Sequence, residues 1–134
     1  MATLETVEGI GVKYAKKLRE VGVPTLNALL EDGSTRKGRE GIAERSGISG
    51  KLILEWVNHV DLFRIDGVGE EYADLLEESG VDTVPELAQR KPANLHKKMV
   101  EVNEEKKLVR KLPAASQVEG WVAQAKKLPR VVKY

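Results

Sequence analysis

The chain resembles itself, and that constrains its fold more than any other feature. Residues 4–29 set against residues 62–87, an offset of 58, share eleven identities over 26 positions. They are Leu4/Leu62, Gly9/Gly67, Gly11/Gly69, Tyr14/Tyr72, Ala15/Ala73, Leu18/Leu76, Glu20/Glu78, Gly22/Gly80, Val23/Val81, Thr25/Thr83 and Leu29/Leu87. Ordinary residue frequencies would give about two. Further on, Trp56-Val57 returns as Trp121-Val122 at an offset of 65, so the second copy carries seven extra residues. Duplication followed by divergence explains this pattern. The expected organisation is a first repeat over residues 1–61 and a second over 62–134, with the insertion and a short tail in the second.

Each copy reads as a string of short helices. In the first, Leu4 to Val7 is a brief helix and Glu8-Gly9-Ile10-Gly11 a tight turn, whose two glycines can take positive φ without steric cost. Val12 to Val21 is a helix with Tyr14, Ala15, Leu18 and Val21 on one face, stopped at Gly22. Thr25 caps a short helix ending near Glu31, and a helix from about Thr35 to Arg45 stops at Gly47. Ser49 caps a longer one with Leu52, Ile53, Trp56, Val57, Val60 and Phe63 on one face. In the second copy a helix runs from Glu70 to Ser79, and Thr83-Val-Pro-Glu86 has the form of a capping box. A helix is expected from Pro92 or Ala93 towards Arg110, with a break near Asn103. Ser116-Gln-Val-Glu119 opens the last helix and Pro129 ends it. Nothing alternates with period two for long, so the fold class is all-α, two divergent repeats packed as one compact domain. The tail Pro129–Tyr134 is the one candidate for a strand.

Composition removes several function classes. There is no cysteine, which excludes disulfides, zinc–thiolate sites, thiol catalysis and iron–sulfur clusters. No apolar run approaches membrane-spanning length, and Met1-Ala-Thr-Leu-Glu5 has no basic or apolar leader region. A cytoplasmic protein without a membrane partner is expected.

The net charge of +1 hides a strong segregation. Residues 1–61 are neutral, residues 62–88 carry −7 and residues 89–134 carry +8. Such a basic last third complements the acidic stretch or offers a face to an anionic partner.

The frame Leu-x-x-Val-x-Gly-Ile-Gly-x-x-Tyr-Ala-x-x-Leu-x-x-x-Gly-Val, from Leu4 to Val23, resembles the helix-hairpin-helix motif of DNA-repair and replication proteins. The second copy has the same frame with Gly67-Val68-Gly69. The whole chain, through its Glu-Trp-Val helix and Leu-Pro-Arg-Val-Val-Lys-Tyr tail, looks like an uncharacterised prokaryotic tandem family, a domain of unknown function. Relatives of that family are sometimes labelled as resembling flap endonucleases or polymerase finger domains. The resemblance implies paired hairpins that grip phosphates across a minor groove. It also implies, for some hairpins, a monovalent cation on backbone carbonyls; no other cofactor is expected.

The physics of the motif agrees. A hairpin feeding a helix start aims backbone N–H groups outward, where the helix dipole favours an anion. Such contacts position a protein on DNA without reading sequence. The candidate backbone-binding residues are Gly9, Ile10, Gly11, Lys13, Lys16 and Lys17, the lysines sharing one helix face opposite Tyr14, Ala15 and Leu18. At the second hairpin, Gly67, Val68 and Gly69 stand beside Glu71, Asp74 and Leu75 where the first copy has the lysines, with Glu70, Glu77 and Glu78 nearby. Carboxylates there oppose a phosphate, so this hairpin departs from a DNA-binding pattern. Helical phase puts Leu75 at the edge of the outward face, the apolar centre of an interface rimmed by acids. Lys106, Lys107, Arg110 and Lys111 are its complement, docking within the same chain of a monomer or, as the alternative, on a second copy that self-associates.

Other chemistry fails on spacing. No strand precedes Gly-x-Gly and a third glycine is missing, so it is no dinucleotide fingerprint. His59 and His96 have no ligand neighbours at metal spacing, and no catalytic or metal set is expected. Trp56 and Trp121 lie on apolar helix faces and read as core anchors rather than base-stacking platforms. The expectation is a non-catalytic module that binds DNA backbone weakly through the first hairpin. The alternative is a protein-interaction or scaffold module that has lost the DNA grip.

Overall fold

The computed structural model describes residues 3–134. Met1 and Ala2, where the leader expectation begins, lie outside the described residues. Among the described residues there are eight α-helices, one 3₁₀ turn and no strand. No described helix is long and apolar enough to cross a membrane. The chain divides into two compact units: one holds the residues up to Asp61 together with Val131–Tyr134, the other Leu62–Arg130.

The first unit runs from a 3₁₀ turn, Leu4–Thr6, through α1 (Val12–Glu20), α2 (Leu26–Asp32), α3 (Arg36–Ser46) and α4 (Gly50–Leu62). Helix α1 packs on the 3₁₀ turn and on α3, and α2 packs on α3. Local chemistry sets these boundaries. Gly22 takes φ +88° after α1, and Val23 N–H donates to Leu18 O at 2.8 Å. The Thr25 hydroxyl accepts from Ala28 N–H at 3.0 Å and the Thr35 hydroxyl from Gly38 N–H at 3.0 Å, each closing a helix start. Gly47 ends α3 in the left-handed region at φ +75°. Leu18, Leu29, Ile42, Ile53 and Val57 are fully buried.

The segment 131–134 is not a strand but is bound to the first unit. Lys133 N–H donates to Ser34 O at 2.7 Å, and Val132 is buried. Arg39, only 6 % exposed, donates to Gly33 O at 2.8 Å and Lys133 O at 2.9 Å.

The second unit holds α5 (Glu70–Glu78), α6 (Val84–Ala88), α7 (Pro92–Lys106) and α8 (Ala115–Lys127). Helix α8 packs against α6 and α7, and α7 against α5. The local bonds of the first unit recur here. Val81 N–H donates to Leu76 O at 2.8 Å after Gly80 at φ +95°, and Leu87 N–H to Thr83 O at 3.0 Å.

Three local expectations are corrected. Helix α7 stops at Lys106 rather than near Arg110, because Lys107 turns left-handed at φ 53° and Asn103 captures the following loop. The Asn103 side chain accepts from Val109 N–H at 2.9 Å and donates to Val109 O at 3.2 Å. Helix α8 begins one residue earlier than Ser116, where Gln117 Oε1 accepts from Ala114 N–H at 2.8 Å. The Thr83 side chain makes no cap bond; Glu86 Oε2 accepts from Asp82 N–H at 3.3 Å instead. His96 is half-buried and bonded to Pro113 O at 2.9 Å, so it braces the loop before α8.

Candidate nucleic-acid interface

The first glycine turn is built from three backbone events. Val7 follows the 3₁₀ turn and its carbonyl accepts from Ile10 N–H at 3.0 Å. Gly9 bridges that bond at φ +92°, a conformation that L side chains rarely adopt. Helix α1 then opens from Gly11, whose carbonyl accepts from Ala15 N–H at 3.0 Å. The amides of Val12, Lys13 and Tyr14 precede this first bond and point out of the helix start. No side chain caps them.

Two expectations about this turn change. Only the first glycine needs positive φ: Gly11 sits at φ −82°, ψ −178°, open to any residue. A Cβ on Gly11 would meet nothing within 4 Å, so neither its backbone nor its packing requires glycine there. Ile10 does not offer its amide, which is taken by Val7, and its side chain is buried. It anchors the turn to the core, and the outward amides come from the residues after Gly11.

Lys13, Lys16 and Lys17 are all exposed, while Ala15 and Leu18 on the opposite face are fully buried. The first turn of α1 contains no acid. A lysine at a helix start works against the macrodipole by about 0.3–1 kcal/mol. An anion at the amides would relieve that and meet the ammonium groups. Arg19 points elsewhere: it binds Glu5 at 2.8 Å and ties α1 to the 3₁₀ turn. Its guanidinium holds the Glu5 carboxyl below its usual range.

The second turn has the same backbone and different chemistry. Gly67 takes φ +94°, Val68 N–H donates to Ile65 O at 3.1 Å, and Ala73 N–H to Gly69 O at 2.8 Å. A Cβ on Gly69 would likewise meet nothing. Here Glu70 and Glu71 occupy the first turn of α5, so the helix start already has its negative charge. Val68 is buried, like Ile10.

Leu75 is not a surface residue. It is fully buried in the core cluster of the second unit, with Leu76, Leu95 and Met99. The face that carries Lys17 in α1 is turned inward in α5, and the proposed apolar interface centre does not exist. The acidic and basic stretches do meet within this unit. Lys106 Nζ lies 2.5 Å from Glu78 Oε2, which raises the Lys106 pKa.

The charge pattern of the sequence sets Arg110 and Lys111 against the acidic helix of the second copy, and the structure places them at the start of that helix, beside the second turn. They line a cavity of about 400 Å³ with Gly67, Gly69, Glu70, Glu71 and Tyr72. The Tyr72 hydroxyl donates to Lys111 O at 3.0 Å and holds the loop there. The signal in the sequence was the charge segregation, −7 over residues 62–88 against +8 over residues 89–134.

No curated protein and no solved structure matches the chain. A family model matches residues 8–128, a span that includes both glycine turns and both tryptophans. On that match the chain belongs to the family described as a domain of unknown function, DUF4332.

Proposed function

We propose that the chain is a non-catalytic module of two divergent helix-hairpin-helix units, and that the first holds nucleic-acid backbone without reading sequence. One observation carries this reading: an uncapped helix start with three exposed lysines and no acid in its first turn. Phosphate is the ligand that satisfies outward amides and ammonium groups together. The second hairpin, with Glu70 and Glu71 in place, is a packing element and contributes no phosphate grip.

Duplex DNA is titrated at two salt concentrations with the parent and the Lys13→Glu, Lys16→Glu, Lys17→Glu triple variant. If three phosphates are neutralised, affinity of the parent falls about forty-fold over a fourfold rise in salt. The triple variant loses most binding. Equal binding by both proteins would end this assignment. Incubation of DNA with magnesium or manganese yields no cleavage; cleavage abolished by Glu71→Ala with Asp74→Ala would show an enzyme instead.

A protein-binding role is the second reading, favoured by Val12, which is 78 % exposed beside the lysines. It predicts that Val12→Ser abolishes partner binding and that DNA binding is absent at low salt.

A further inference from the structure

The second turn carries charges of both signs that do not meet. Glu70 and Glu71 open α5, Arg110 and Lys111 come from the loop between α7 and α8, and all four line the cavity of about 400 Å³. All four residues are exposed. No ion pair joins any of them to an oppositely charged group among the described residues. The contrast lies in the same unit, where Lys106 at the end of α7 does reach Glu78 at the end of α5.

The loop that presents the two cations is fastened along its length. Asn103 exchanges hydrogen bonds of 2.9 and 3.2 Å with the Val109 main chain, the Tyr72 hydroxyl donates to Lys111 O at 3.0 Å, and His96 bonds Pro113 O at 2.9 Å. Tyr72 is itself set against Trp121, 5.3 Å away between ring centroids. The main chain is therefore fixed while the charged ends of Arg110 and Lys111 stand in solvent. Leu112, the next residue, is among the large apolar side chains left exposed. A surface ordered in advance loses less entropy when it docks.

We propose that this face of the second unit docks on the same face of a second copy of the chain, in a twofold contact that sets Glu70 and Glu71 of each copy against Arg110 and Lys111 of the other. A wholly anionic ligand meets the two glutamates there, and a wholly cationic one meets the arginine and lysine. A face with both signs side by side is complementary to itself turned through half a rotation, the relation that a symmetric dimer requires. The first turn lacks this property: Val12 and Lys13 stand where the second copy has Glu70 and Glu71. Exposed ion pairs are individually weak and screened by salt, so the dimer forms with rising concentration and dissolves in salt. None of this depends on the first hairpin holding nucleic acid.

The test is sedimentation of the full chain over a concentration series, at low and at high salt. The parent should associate at low salt and separate at high salt. Glu70→Lys with Glu71→Lys makes the face wholly basic, and Arg110→Glu with Lys111→Glu makes it wholly acidic. Each variant should be monomeric by itself. Their equimolar mixture should associate at least about tenfold more tightly than either variant does with itself, because every repelling pair becomes an attracting one. A chain with all four reversals should associate as the parent does. The four side chains are exposed, so circular dichroism should show each variant folded like the parent. A parent that stays monomeric at low salt overturns the proposal, as does association that survives either pair of reversals, or folded variants that stay apart when mixed. The Lys13→Glu, Lys16→Glu, Lys17→Glu variant should associate like the parent. Loss of association in that variant would place the contact at the first turn and overturn the proposal.

Discussion

Tyr14 and Trp56 lie 5.1 Å apart between ring centroids, inclined at 57°, and the Trp56 indole backs onto the first glycine turn. A Cβ on Gly9 would stand 3.3 Å from Trp56 Nε1. The pairing returns in the second unit, where Tyr72 and Trp121 are 5.3 Å apart at 51° and a Cβ on Gly67 would stand 3.1 Å from Trp121 Nε1. A tryptophan 47 residues downstream in the first unit and 54 in the second thus sets how closely the turn can approach the core. Tilted aromatic pairs of this kind contribute about 0.5–1.5 kcal/mol beyond their buried area.

The two glycines of the first turn should therefore respond differently. Gly9→Ala meets both a disfavoured φ and the indole, and should cost about 1–3 kcal/mol. Gly11→Ala has an ordinary φ and open space around it, and should cost less than about 1 kcal/mol. If outward amides hold phosphate, Gly11→Ala should still weaken DNA binding by crowding the approach. Thermal melts together with a DNA titration separate the two effects; equal loss of stability in both variants would contradict this geometry.

Leu75 should behave as a core residue. Leu75→Ala removes fully buried carbon and should cost about 2–5 kcal/mol. Leu75→Lys should cost more, since an ammonium would replace it among apolar side chains. Denaturant unfolding measures both. A Leu75→Lys protein as stable as the parent would return this residue to the surface.

Arg39 should hold the 131–134 segment through its fork of donors. Arg39→Ala leaves the Gly33 and Lys133 carbonyls without those bonds and should destabilise by about 2–4 kcal/mol. Arg39→Lys should recover little, because one compact ammonium does not reproduce a planar guanidinium. Amide exchange of Lys133, which donates to Ser34 O at 2.7 Å, is the local readout. Unchanged exchange in Arg39→Ala would show that Arg39 does not secure the segment.

Acid should dissolve the contact between Arg19 and Glu5. The Glu5 carboxyl titrates below its usual value of 4.5 because Arg19 bonds its charged form. A folded-state pKa below the unfolded one stabilises at pH above the unfolded value, and that contribution disappears as pH falls through the folded midpoint. Both side chains are well exposed, so the effect is small. Glu5→Gln should melt slightly below the parent near neutral pH and level with it near pH 2. A difference that persists at low pH would assign the effect to packing instead.

By itself the sequence determined which segments are helical, where most of them start and stop, and which residues recur at matched places. Those are local matters. Gly22 and Gly80 end helices because a left-handed residue is cheapest as glycine, and Thr25 and Thr35 start them because a hydroxyl reaches the third amide on. The exposed lysines and buried Ala15 and Leu18 of α1 also follow from a periodicity of 3.6 residues. Tertiary structure decided the rest. Helical phase put Leu75 at the edge of an outward face, but packing chooses how wide a stripe a helix buries, and in α5 that stripe includes it. Asn103 ended α7 by reaching Val109 across the turn. The placing of Arg110 and Lys111 beside the second turn, and of Tyr134 over Arg39, joins residues 39 to 95 positions apart. No local rule relates such pairs; chain reversal and core packing bring them together.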